Sequence, residues 1–192
     1  QGVELAVQHT TATGTEWELA GMGFQGCDTA GTLLAWRGWA LGDRLSLFGE
    51  MLPLPPLPTI QYGGPFGGQS YDGTSPFEEL DGREGWQARA GWRHPNGISV
   101  VASHFDNRGD RALYDGEYAW ATAYDQAGTT IDLGRGYTLA AEWMSGSTGM
   151  GPTTGTRVDA DFTATYVLLG WRGETWRGSF RWDDFEVEDR DG

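Results

Sequence analysis

Ser103, His104 and Asp106 stand together in "SHFDN", and a serine, a histidine and an acid are the components of hydrolytic nucleophile activation. The surrounding segment alternates apolar and polar residues as a strand does, and neighbours on a strand point to opposite faces. Ser103 and His104 therefore cannot exchange a proton directly, so no enzyme activity and no cofactor are expected. Oxygen ligands for a hard cation are offered by Asp106, Asn107 and Asp110 in "DNRGD" and by Asp189 and Asp191 in "DRDG". Neither run completes a twelve-residue calcium loop with its closing glutamate, so both read as solvated polar loops and no metal site is expected.

Arg89 and Arg93 are four apart, as are Arg177 and Arg181. On a strand rising ~3.3 Å per residue each pair projects from one face about 13 Å apart, and a guanidinium stays charged at any accessible pH. Two such ladders on the wall of a water-filled passage are expected to attract small anions, provided the loop carboxylates lie outside the constriction; with Glu50, Glu142 and Asp183 also expected on that wall, the selectivity stays open. The elements that carry them decide whether such a wall exists. In "GWQARAGWR" (85–93), Trp86, Ala88, Ala90 and Trp92 share one parity and Gln87, Arg89 and Arg93 the other. In "WRGSFRWDDF" (176–185), Trp176, Phe180 and Trp182 oppose Arg177, Ser179, Arg181 and Asp183. A half-buried strand of a soluble protein points its apolar parity into a core, whereas a strand of a transmembrane barrel points it into lipid.

Composition favours strands over helices. The 192 residues include ten tryptophans and 31 glycines, a mix that suits many strands joined by turns, and one domain over 1–192 is expected. A net charge of -14 leaves no basic face for nucleic acid. All thirteen basic residues are arginine, and the lone Cys27 provides no disulfide framework. No apolar run is long enough for a transmembrane helix, which leaves barrel strands open. The chain enters an alternating segment at once, with no charged and apolar leader, and closes in a loop-like run, so a piece of a longer protein is expected.

Alternation and turn signals mark ten strands, at 2–9, 15–24, 33–40, 44–51, 85–93, 98–105, 118–133, 137–145, 159–171 and 176–187. Most approach the ~9–11 residues that cross a bilayer at a tilt. Their connections alternate short and long. Outer-membrane barrels have short turns at one rim and longer loops at the other, whereas a Greek-key sandwich has no reason to sort its connections. Each short turn has an aromatic beside it: Trp17, Trp39, Trp92, Tyr137, Trp171 and Trp176 form one girdle, and Phe24, Trp86, Phe105, Tyr118, Trp120, Trp143, Phe162 and Trp182 the other.

The expected fold is therefore all-β, a partial antiparallel up-and-down transmembrane β-barrel of about ten meander strands. Trp86 and Trp92 then face lipid. A charge costs about 2–4 kcal/mol at the bilayer midplane, so the polar parity must be luminal. The expected pore-lining residues are Arg44, Glu50, Arg89, Arg93, Glu142, Arg177, Arg181 and Asp183. In "DFTATYVLLGWR" (161–172), Val167 and Leu169 break the polar parity of Thr163 and Thr165, and a bulge would reconcile them. The stretch 52–84, rich in proline and glycine, is too long for an idle connection and is expected to fold inward and narrow the lumen.

Four strings, "DTAGTLLAWRGWALGDRLSLFGEMLPLPPL", "ELDGREGWQARAGWR", "HFDNRGDRALYDGEYAWATAY" and "EWMSGSTGMG", resemble a family of uncharacterised porin-like outer-membrane proteins of Gram-negative bacteria. The resemblance spans most of the chain and implies a barrel in the bacterial outer membrane, acting as a channel for small solutes. Its partners are then the lipid bilayer and the diffusing solutes or ions, and self-association into a homo-oligomer is compatible with it. A rival reading from composition alone is a secreted acidic, Trp-rich β-sandwich that stacks glycans on exposed tryptophans.

Overall fold

The computed structural model describes residues 1–37, 47, 49–69, 73–151 and 156–190. Segments whose side chains alternate in polarity are extended, and eight of them pair into one antiparallel sheet. The strands are β1 (Gly2–Thr10), β2 (Glu16–Phe24), β3 (Gly85–His94), β4 (Ile98–Asp106), β5 (Leu113–Tyr114), β6 (Glu117–Tyr118), β7 (Ala121–Gly134), β8 (Tyr137–Met150), β9 (Val158–Arg172) and β10 (Arg177–Asp189). The sheet runs β1-β2-β3-β4-β7-β8-β9-β10, and β5 with β6 forms a separate hairpin. Sheet order follows chain order, so the described residues form an all-β meander without a crossover. Among the described residues β1 and β10 each pair on one side only.

The connections still sort into two kinds. Residues 11–15, 95–97, 135–136 and 173–176 make short turns at one end, and 25–84, 107–120 and 151–157 make long loops at the other. The tightest turn shows why composition permits this. Arg135 and Gly136 both have positive φ (54° and 80°), the backbone that a two-residue hairpin needs to match the strand twist. A Cβ at Gly136 would stand 2.1 Å from the Arg172 carbonyl oxygen, so only glycine fits.

Two of the ten expected strands are corrected over their described residues. Leu33–Arg37, inside the expected 33–40, is a π-helical turn that follows α1 (Ala30–Thr32). Gly31, Thr32 and Leu33 are buried in succession, which a strand with one wet face cannot achieve because its side chains alternate. Residues 38–46 and 48, which include Trp39 and Arg44, lie outside the described residues. At the end of the expected 44–51, Glu50 is in an irregular stretch, and Leu52 makes an isolated bridge to Thr74. Among the described residues of 25–84, hereafter the insert, no strand is formed, and the alternation of short and long connections survives.

The insert builds its own small core at the long-loop end. Leu54, Ile60 and Phe66 pack with Trp120 and Met150, flanked by Ala35, Leu57, Tyr118 and Val158. Fully burying such side chains contributes about 1.5–3 kcal/mol each, enough to dock a segment that has almost no regular structure of its own.

Candidate functional site

Strand register sorts the side chains into two faces. The face we term covered carries Thr122 and Thr148, whose hydroxyls are 2.7 Å apart, and α1 lies against it: a Cβ added to Gly31 would fall 2.5 Å from Thr148 Oγ1 and 2.4 Å from the Trp120 ring. The opposite, open face has no element over it among the described residues. The part of the insert that lies over this face is thus α1, outside the 52–84 expected to fold over it.

Arg89, Arg93, Glu142, Arg181 and Asp183 all fall on the covered face by register. Arg177 opens β10 on the same face, opposite Arg172. Glu50 is off the sheet, where its Oε2 accepts a hydrogen bond from the Leu47 amide at 3.0 Å. The arginines are held by carboxylates that reading one strand at a time misses. Arg89 Nη2 is 2.8 Å from Glu18 Oε1 and 3.8 Å from Glu4 Oε1, and Arg93 Nη1 is 3.5 Å from Glu16 Oε2. Arg181 Nε donates to both oxygens of Asp183 at 2.8 and 3.0 Å. Between β2 and β9 lies a trough of about 520 Å³ lined by Glu18, Arg89, Arg93, Glu142 and Tyr166.

The open face is apolar along a diagonal. In one register row Val3, Gly23 and Trp86 give way to Asp106, Ala123, Ser147, Asp161 and Glu188. Nearer the short turns the trend reverses, and His94 is followed by Ile98, Ile131, Leu139, Leu169 and Phe180. Leu5, the middle of the apolar run on β1, shares a row with Glu186, while the apolar middle of β10, Phe180, is six residues further along. At ~3.3 Å per residue and ~4.8 Å between strands, that drift of ~20 Å over ~34 Å is a slope of about 30°.

The diagonal resolves the anomaly in β9 without a bulge. Thr163, Thr165, Val167 and Leu169 all lie on the open face, polar before the boundary and apolar after it, and the register with β8 is unbroken. The sheet's irregularity falls instead between Asp132 and Gly134.

The aromatics divide by the same rule. Trp17 and Trp92 are adjacent on the open face, 6.4 Å apart, as are Tyr137 and Trp171 at 6.4 Å; Trp86, Trp143 and Trp182 share that face, and Trp176 is exposed in the last turn. The second girdle as expected needs correction. Phe24, Phe105, Tyr124 and Phe162 contact one another across the covered face, with Phe24 to Phe105 at 5.0 Å and Phe105 to Tyr124 at 4.8 Å. Trp120 is buried in the small core at the long-loop end, and Tyr118 packs against that core. The signal was available in parity: Phe24 is an odd number of residues from Trp17, hence on the other side of β2.

The side-chain oxygens of Asp106, Asn107 and Asp110 in "DNRGD" are engaged with backbone. Asp106 Oδ1 accepts from the Arg108 amide and Asp110 Oδ1 from the Ala112 amide, each at 2.8 Å. Buried Asn107 donates to the carbonyls of Cys27 (3.2 Å) and Trp120 (2.7 Å), and its Oδ1 accepts from the amides of Gly109 (3.3 Å) and Thr122 (2.7 Å). Asp189 closes β10, and Asp191 lies outside the described residues. A different trio, Asp28, Glu79 and Asp81, brings carboxylate oxygens within 4.8 Å of one another at the root of the insert.

Asp28 gives the insert a pH dependence. Burial pushes its carboxyl up from 3.8 to about 6, aided by the charges of Asp81 and Glu79 and opposed by the Leu80 and Asp81 amides that donate to it. A folded-state value above the unfolded one stabilises the fold at low pH and loses that contribution as pH rises through about 6. The amides of Leu80 and Asp81 should therefore exchange through a more stable closed state at about pH 5 than at about pH 7.5, after correction for intrinsic rates. Asp28→Asn should erase the difference; persistence of it in the variant would acquit Asp28.

No protein-family model, curated protein or solved structure matches the chain.

Proposed function

We propose that the chain forms the wall of an outer-membrane-type β-barrel, with the open face against lipid and the covered face along an aqueous passage for small solutes. The observation that carries this reading is the diagonal apolar band. A soluble sheet buries its apolar face squarely against a partner layer and has no cause to shift that face steadily from strand to strand. Strands tilted by 35–45° in a bilayer must do so, because each successive strand crosses the hydrocarbon at a different residue. The observed slope is close to that range. Polar side chains facing α1 and the trough, aromatic pairs beside the short turns, and connections sorted by length all agree with it.

The glycan-binding sandwich requires a second sheet face to face with the first. The described residues form one eight-stranded sheet and a two-stranded hairpin. In a bilayer the unpaired edges of β1 and β10 would leave backbone groups without partners, so this reading requires those edges to be paired. Reconstitution into planar bilayers tests it. Stepwise conductance is expected; a chain that is monodisperse without detergent and leaves bilayers silent contradicts it.

A further inference from the structure

Resting on that reading, we infer that the passage favours small cations and that Glu142 sets the preference. One register row crosses the covered face through Glu18, Gly91, Val101, Gly128, Glu142 and Tyr166 to Asp183. It holds three carboxylates and no base. The arginines of the neighbouring rows are already compensated: Arg89 by Glu18 and Glu4, Arg93 by Glu16, and Arg181 by Asp183. Arg181 also sits over the Tyr166 ring, its Cζ 4.2 Å from the ring centre. A guanidinium whose charge is cancelled within a few ångströms projects little field into a wet lumen, so the anion attraction expected from Arg89, Arg93 and Arg181 is largely quenched, and Arg177, opposite Arg172, stands six residues along β9 from the row of Glu142, at the short-turn end.

Glu142 makes no ion pair or side-chain hydrogen bond among the described residues, and the cation whose charge reaches it, Arg181, is itself bound to Asp183. Its carboxylate overlooks a floor without side chains, since a Cβ at Gly128 would lie 3.8 Å from Glu142 Oε2. With Gly91 also bare, the trough of about 520 Å³ opens between Glu18 and Glu142. A solute moving along this face therefore meets, at the place where the wall recedes, a negative charge that no ion pair closes off. Cations are concentrated there and anions repelled. The effect should be strong at ~0.1 M salt, where screening extends ~10 Å, and weak at ~1 M, where it extends ~3 Å.

The test is the reversal potential of bilayers holding the full chain between about 0.1 M and 0.01 M KCl, a range in which screening is incomplete. Wild type should show the sign of potassium preference. Glu142→Gln, which keeps the side chain's size, should move the potential toward zero, and Arg89→Gln, which frees Glu4 and Glu18, should move it the other way. A zero or anion-signed potential in wild type, or no change in Glu142→Gln, overturns the inference while the conductance itself leaves the channel reading standing. Silence of the wild-type chain overturns both.

Discussion

Asn107→Ala should undo the docking of the insert and cost on the order of 3–5 kcal/mol, because it strands several buried backbone groups at about 1–3 kcal/mol each. The side chain is buried and bonds backbone groups of four residues: the carbonyls of Cys27 and Trp120 and the amides of Gly109 and Thr122. Cys27 belongs to the root of the insert, Gly109 and Trp120 to the next long loop, and Thr122 to β7, so one side chain fastens three segments at one end of the sheet. Asp in its place cannot donate to two carbonyls and should fail almost as badly, whereas the strand ladders, which do not involve it, should persist. Thermal unfolding in detergent, with amide exchange across 25–84, reads the loss. A variant within about 1 kcal/mol of wild type would mean that the insert is held by the contacts of Leu54, Ile60 and Phe66 alone.

Val100→Arg and Val101→Arg should behave oppositely although the two valines are neighbours and nearly equally exposed, at 43% and 38%. Val100 sits mid-band on the open face, in the row of Trp17, Trp92 and Val167. An arginine there should cost about 2–4 kcal/mol in a bilayer and block assembly into membranes. Val101 lies on the covered face between Glu18 and Glu142, where an arginine finds water and carboxylates. Membrane fractionation and conductance separate the pair: the first variant should be lost from the membrane, and the second retained with reduced cation preference. Equal behaviour would remove the distinction between the faces.

Much of the sheet was legible because alternation is a local signal. The strands at 85–105 and 137–145 lie within those found, and the long loops fall where glycine, proline and acidic runs predicted them. The insert was misread at 33–37 and at 47 and 49–51 because "TLLAWRGWALGDRLSLF" carries enough β-prone residues to suggest strands, while Gly31 is packed against Trp120 and Thr148, far away in the chain. The same limit hid the charge pattern. Which carboxylate meets Arg89 is set by the register of β2 with β3, a long-range pairing that no single strand reveals. The diagonal band required that register too; strand by strand it looked like broken alternation at Val167 and Leu169.

The claim on which the account turns is that lipid crosses the open face obliquely. Nitroxide labels at Leu5, Phe180 and Glu186, placed singly in a Cys27→Ser background and read for accessibility to oxygen against a water-soluble nickel chelate, measure it in reconstituted bilayers. Leu5 and Glu186 share one register row, yet the account places Leu5 and Phe180 in hydrocarbon, with oxygen preferred, and Glu186 in water, with the chelate preferred. Equal depths for Leu5 and Glu186, or chelate access at all three positions, would contradict it.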